Sequence, residues 1–198
     1  MDHLLNARFR EALLFASQLH ASQYRKLAKE EKAGNAKKIP YVGHLLAVAA
    51  LVIDDGGTED EAIAALLHDA AEDQGGEATL LRIEALFGNE VAAIVSACSD
   101  TMEEPKPEWE VRKRRYLEHL SDAPQKVLRV SCADKVHNAQ SIIHDHRRVG
   151  DVVWNRFHRP KDRVIWYYDE LAKIFRLKLQ ESILPYELER LVAEMKRL

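Results

Sequence analysis

No stretch of this chain alternates apolar and polar residues for long enough to build a strand, whereas apolar residues recur at three- and four-residue spacing almost throughout. That leaves helix against helix as the way to hide apolar surface. The first helix carries Leu5, Phe9, Ala12, Leu13 and Ala16 on one face and runs towards Gln23. Lys26 to Pro40 is charged, contains Gly34-Asn35, and reads as a surface loop or a frayed helical extension. A second helix is expected from near Pro40, where proline suits a first turn, to Gly56-Gly57. Thr58, with Glu61 three residues on, makes a capping box for a third helix that stops at Gly75-Gly76. Thr79 to Phe87 and Asn89 to Ala97 are split by Gly88, and Glu103 to Pro107 is a loop. Later helices run from about Glu108 to Leu120, Ala123 to Arg147, Pro160 to Leu179 and Pro185 to Arg197. The expected fold is an all-α bundle of about eight to ten helices. It forms one domain over residues 1–198, with its core at about 6–175 and a C-terminal helix at about 184–198.

A chain of 198 residues, 46% hydrophobic and 31% charged, can bury a core without staples. A net charge of −3 argues against a general nucleic-acid binder, so an anionic ligand needs a local basic cluster or a metal. Cys98 and Cys132 form no disulfide framework, which fits a reducing cytoplasm. The longest apolar run, Leu45 to Ile53, is too short to span a bilayer, and the N-terminus has no signal-peptide layout. The expectation is a cytoplasmic enzyme or binding domain with neither a nucleic-acid nor a membrane partner. Apolar surface on the late helices, such as Leu184 to Leu198, suggests a homodimer.

The third helix ends in LLHDAAED, Leu66 to Asp73, which sets His68, Asp69, Glu72 and Asp73 after an apolar run. On a continuous helix, His68 would share a face with Glu72, and Asp69 with Asp73. His68 and Asp69 together suit a hard or borderline metal, while Glu72-Asp73 would orient or deprotonate a water. The same acids also fit a solvated helix end, although negative charge there opposes the helix dipole. His44 stands alone in an apolar helix and reads as a satisfied core histidine or as a ligand. Asp134 follows seven mostly apolar residues, so it needs a metal or a partner such as Lys135. His137, His144 and His146 read as a partly exposed helix face.

Together His44, His68-Asp69 and Asp134 resemble the ordered ligands of the HD-domain metal-dependent phosphohydrolases. HASQYRK, PYVGHLLAVA, ALLHDAAED, FGNEV and ADKVHN narrow the likeness to the hydrolase half of the RelA/SpoT homologues. Its stand-alone forms, the small alarmone hydrolases and the metazoan SpoT homologue, are similar over roughly residues 6 to 175. The resemblance implies one Mn²⁺ on His44, His68, Asp69 and Asp134, with Glu72 and Asp73 activating the attacking water. It implies a small-molecule guanine nucleotide as substrate: the 3′-pyrophosphate of guanosine tetra- or pentaphosphate, released as pyrophosphate. It also implies that Arg25 and Lys26 meet the purine, Asn138 and Ser141 bind the nucleotide, and Arg163 and Tyr167 hold phosphate. Lys106, Arg112 and Lys113 would close over the pyrophosphate. Without the resemblance, Arg25-Lys26 is a solvated pair, Asn138 a mid-helix polar residue, Arg163 a partner of Asp162 or Asp169, and Tyr167 core.

The chain departs from the family's pattern in a longer segment between Lys26 and Pro40, in Ala70-Ala71, and in Gln74. These put the substrate in question and leave two alternatives: the same site acting on the 2′-phosphate of NADPH or another nucleotide, or a catalytically silent nucleotide sensor. Synthesis of the alarmone is not expected.

Overall fold

The computed structural model describes residues 5–34, 36–101, 105–157 and 159–198. Asn35, and Glu103 and Glu104 of the expected loop, lie outside them. The described residues fold into helices α1 (Ala7–Leu19), α2 (Lys29–Ala33), α3 (Val42–Asp54), α4 (Glu59–Leu67), α5 (Ala70–Asp73) and α6 (Gly76–Phe87). They continue through α7 (Asn89–Cys98), α8 (Trp109–Ser121), α9 (Gln125–Val149), a 3₁₀ segment (Gly150–Arg156), α10 (Lys161–Lys178) and α11 (Leu184–Met195). Nine of these helices have nine residues or more, within the range read from periodicity, and α2 and α5 are single turns. Among the described residues the only β pairing is one bridge, Tyr24 to Pro40. The fold is all-α.

Local signals account for the starts and stops. The Asn6 side chain accepts from the Arg8 amide and begins α1. Thr58 Oγ1 accepts from the Glu61 amide at 3.3 Å, and Glu61 returns to the Thr58 amide at 2.8 Å, so the capping box forms as expected. Gly75 ends the acidic turn at φ +107°, a left-handed conformation that a side chain rarely adopts.

Three helices meet at the centre. Every residue of α4 from Ala62 to Leu67 is fully buried, as a helix apolar on all sides must be. The α9 helix is buried along most of Val127 to Ile143, and α3 packs on both α4 and α9. Burying Leu45, Ile63, Leu66 and Leu128 gives roughly 1.5–3 kcal/mol each and fixes the three helices relative to one another. His44 on α3, His68 after α4 and Asp134 on α9 are therefore positioned by the core itself.

Four expectations change. The third helix is not continuous: it breaks at His68-Asp69, separating α4 from α5. The His68 ring is the cause we identify, because its Nδ1 bonds the Ala65 carbonyl at the end of α4 at 2.8 Å. Lys26 to Pro40 is neither simple loop nor an extension of α1; it contains α2 and is closed by bonds from the Arg25 amide to the Ile39 carbonyl (2.9 Å) and from the Tyr41 amide to the Gln23 carbonyl (3.0 Å). The first helix ends at Leu19, and the second starts at Val42. The apolar face of α11 is spent inside this chain: Leu184, Leu188, Leu191, Val192 and Met195 are buried where α11 packs on α9 and α10. That removes the surplus surface from which a homodimer was inferred. Among the described residues, no helix is long and apolar enough to cross a membrane.

Candidate active site

Where α3, α4 and α9 converge, two imidazoles and two carboxylates alternate in a ring. His44 Nε2 lies 3.2 Å from Asp134 Oδ1 and 3.6 Å from Asp69 Oδ2. His68 Nε2 lies 3.1 Å from Asp69 Oδ2 and 3.6 Å from Asp134 Oδ1. Among the described residues, His44, His68 and Asp134, all buried, bring one donor atom each within 4.8 Å of one another. Neighbouring donors on a six-coordinate ion with bonds of about 2.1–2.2 Å stand about 3 Å apart, so the ring is of the right size. Both Nε2 atoms are buried and make no hydrogen bond, the condition expected of lone pairs kept for a cation. The residues fit a divalent metal.

The electrostatics point the same way. Burial alone would push the His68 imidazole towards neutrality, but Asp69 and Asp134 outweigh it and raise its pKa well above the usual value, so the two carboxylates draw positive charge to this point, either a proton on His68 Nε2 or a metal ion in its place. Burial likewise opposes charge on Asp69 and Asp134, yet His68 and His44 keep the Asp69 carboxyl well below the usual range, and Lys135, 2.5 Å from Asp134 Oδ2, followed by His44 and His68, does the same for Asp134. Two buried carboxylates thus stay ionised and bind positive charge.

Each ring member is oriented from behind. His68 Nδ1 donates to the Ala65 carbonyl, which leaves its Nε2 unprotonated when the ring is neutral. His44 Nδ1 lies 2.7 Å from Nδ1 of His137. For His44 to offer its Nε2 lone pair, its Nδ1 must donate and His137 must accept. Tyr41 donates its hydroxyl to Asp69 Oδ2, and Asn138 its amide to Asp134 Oδ1. Sequence reasoning missed Tyr41 and His137. Tyr41 lies three residues before His44 in the PYVGH motif, a legible signal; His137 was read as part of a partly exposed helix face with no role in the site. That reading suits His144, which is exposed, and His146, which pairs with Asp151 at 3.1 Å. It does not suit His137.

Glu72 and Asp73 leave the ring in different company. Glu72 accepts from the Asp100 amide and from Lys106 Nζ, both at 3.0 Å. Asp73 accepts from Gln23 Nε2 at 2.7 Å, and Gln23 is itself held by Gln74 and by the buried His20. Partial enclosure, and then the charges of Asp69 and Glu72, raise the Asp73 pKa.

Both acids line a cavity of about 670 Å³, of the size that holds a nucleotide. Asp69 and Asp134 also border it, with Arg25, Lys26, Asn138, Ser141 and Tyr167. Both Nη atoms of Arg25 reach Asn138 Oδ1 at 3.3 Å. The Tyr167 hydroxyl is buried without a hydrogen-bond partner among the described residues. Lys106, Arg112 and Lys113 line one wall together with their carboxylate partners, Lys106 with Glu72 at 3.0 Å, Lys113 with Asp100 at 3.2 Å and Arg112 with Asp100; burial, with Lys135 and Arg112 close by, pushes the Lys113 pKa down to about 7. Arg163 is not brought to the cavity. It pairs with Glu110 at 2.7 Å and stacks on Trp166, rather than joining Asp162 or Asp169.

Comparison with known proteins agrees with this geometry. The guanosine-3′,5′-bis(diphosphate) 3′-pyrophosphohydrolase MESH1 of Xenopus tropicalis is 34% identical over 184 residues, covering 91% of this chain and 90% of its own. The structure of lmo0812 from Listeria monocytogenes EGD-e matches with a TM-score of 0.69 at 31% identity, covering 78% of this chain and 99% of that one. The fold also matches that of a metazoan ortholog of SpoT that hydrolyzes ppGpp, with a TM-score of 0.74 at 24% identity and 98% coverage of both chains. Residues 12–159, which carry every member of the ring, match the HD domain, and the chain belongs to that family.

Proposed function

We propose that this chain hydrolyses the 3′-pyrophosphate of guanosine tetra- and pentaphosphate (ppGpp and pppGpp), giving pyrophosphate and GDP or GTP, with Mn²⁺ held by His44, His68, Asp69 and Asp134. One observation carries the reading: a four-donor ring beside two further acids, at one end of a cavity whose wall bears cations. The relatives named as guanosine-3′,5′-bis(diphosphate) 3′-pyrophosphohydrolases support the substrate. Two free thiols, Cys98 and Cys132, are compatible with a cytoplasmic setting.

A divalent ion in the ring supplies positive charge against the phosphoryl oxygens and makes water more acidic. The remaining work falls to side chains. Asp73, with its raised pKa and one oxygen fixed by Gln23, accepts the proton as a water oxygen bonds to the inner phosphorus of the 3′-diphosphate. The bond from that phosphorus to the ribose 3′ oxygen breaks, and that oxygen takes up a proton from solvent water or the one that Asp73 received, which leaves a 3′ hydroxyl and pyrophosphate. Glu72 acts as a fixed anion that holds Lys106 at the reacting end. Lys106, Lys113 and Arg112 neutralise the departing pyrophosphate. Arg25, Lys26 and Asn138 hold the nucleoside, and Tyr167 offers its unpartnered hydroxyl to phosphate.

The test is a substrate competition. Metal-stripped protein is loaded with Mn²⁺ and given ppGpp and NADPH in separate and mixed reactions, with products resolved by anion-exchange chromatography. The expected result is GDP and pyrophosphate from ppGpp, with NADPH the poorer substrate. Faster release of phosphate from NADPH would overturn the assignment while leaving the site intact.

A further inference from the structure

The segment from Lys26 to Pro40 is anchored by one buried ionic cluster far from the ring. On α2, Glu31 accepts two parallel bonds from Arg156, from Nε to Oε2 and from Nη2 to Oε1, both at 2.6 Å. Glu31 also accepts from the Ala28 amide at 2.8 Å, and its side chain is only 3% exposed. The third Arg156 nitrogen, Nη1, pairs with Asp145 near the end of α9. Beside them, Asn155 Nδ2 donates to Glu30 Oε1 at 3.1 Å. Charge-assisted, two-pronged pairs of this kind fix orientation as well as distance.

Its place along α9 says what the cluster does. Asp134 and Asp145 are eleven residues apart on one helix, so about 16 Å separates the ring from the cluster. Between them Asn138, Ser141 and Ile142 line the cavity, and Arg156 borders it too. With the 3′-pyrophosphate at Asp134, this lining would lead the ribose and base in the direction of Asp145. Arg156 engages three nitrogens with protein carboxylates, which makes it a strut rather than a phosphate grip. The strut ties the 3₁₀ segment to α2, and α2 belongs to the same closed loop as Tyr24, Arg25 and Lys26.

We propose that Glu31, Arg156 and Asp145 are positioning residues that fix the nucleoside end of the cavity and so set affinity for the guanosine 5′-diphosphate part of the substrate. The proposal rests on the functional reading above.

The experiment compares wild-type, Glu31→Gln and Arg156→Met proteins, Mn²⁺-loaded, on ppGpp. KM rises about tenfold in both variants while kcat stays within about twofold, because a contact to the non-reacting part of a substrate is lost equally from ground and transition states. Competitive inhibition by GDP weakens in parallel, and inhibition by inorganic pyrophosphate does not change. Thermal unfolding is measured beside the kinetics. If either single variant melts early, the double variant Glu31→Leu/Arg156→Leu removes both charges together, and Asp145 keeps its pair with Arg148 at 3.3 Å. Unchanged KM in active variants, or equal weakening of GDP and pyrophosphate, overturns the proposal alone. A wild-type protein that leaves ppGpp intact takes the functional reading down with it.

Discussion

Glu72 and Asp73 are sequence neighbours with different surroundings, and those surroundings decide their roles. Lys106 and the Asp100 amide hold Glu72 in place, whereas Asp73 has a raised pKa and one hydrogen bond from Gln23. A proton acceptor works best with a pKa moved towards neutrality, which is why we propose Asp73 as the base. His137 supports the ring through His44, and its removal tests whether that bond orients the ligand. His137→Ala is expected to weaken Mn²⁺ binding by about 10- to 100-fold in calorimetry, the usual effect of losing a group that orients a metal-binding histidine. His137→Gln, which keeps an acceptor, recovers part of it. Undiminished Mn²⁺ affinity in His137→Ala would show that the 2.7 Å contact is incidental. At this scale the sequence was informative where a polar residue interrupted apolar company, as at His44 and Asp134. Tyr41 could have been found from its place beside His44 in the PYVGH motif, whereas His137 was silent because its partner lies 93 residues away.

At the scale of elements, the decisive feature is the short α5 turn that follows the break at His68-Asp69. On either side of that break, His68 and Asp69 belong to the ring while Glu72 and Asp73 line the cavity. Gly75 ends that turn at φ +107°, and a Cβ there would stand 2.9 Å from Thr79 Oγ1. Gly75→Ala is therefore expected to cost about 1–2 kcal/mol of stability, measured by urea unfolding, and to lower kcat by displacing Asp73. A variant as stable and active as wild type would mean that the turn does not hold the acids. Capping residues made the starts of helices legible, Thr58 with Glu61 above all. The break was not legible, because its cause is a side chain bonding backwards to its own helix. Nor was α2: it is held by Arg156, 125 residues on in the chain.

For the whole molecule, one buried network braces the elements that carry the ring. Arg129 on α9 pairs with Asp55 at the end of α3 at 2.9 Å and with Glu61 on α4, and both acids are nearly fully buried. Asp55 also accepts from the Ser182 hydroxyl at 2.8 Å and the Ile183 amide at 3.1 Å, which brings in the start of α11. Arg129→Met leaves two buried carboxylates without their cation, and is expected to cost about 3–5 kcal/mol in chemical denaturation. Activity in the cold survives, since Arg129 touches no part of the cavity. A loss below about 1 kcal/mol, the worth of an exposed pair, would contradict this bracing role. The bundle itself was readable from periodicity, because its core is the sum of many local apolar faces. The brace was not, because Asp55, Glu61 and Arg129 look in sequence like ordinary surface charges.

The central claim is that the acids after Leu67 serve a metal-dependent hydrolysis, and pyrophosphate release from ppGpp tests it most directly. Wild-type, Glu72→Gln and Asp73→Asn proteins are compared with Mn²⁺ and after chelation. Release by the wild type that needs Mn²⁺ is the expected result, with a fall of about 10²- to 10⁴-fold in Asp73→Asn and a clear but smaller fall in Glu72→Gln. Wild-type protein that binds Mn²⁺ yet releases no pyrophosphate, or Asp73→Asn protein that releases it at the full rate, would contradict the claim.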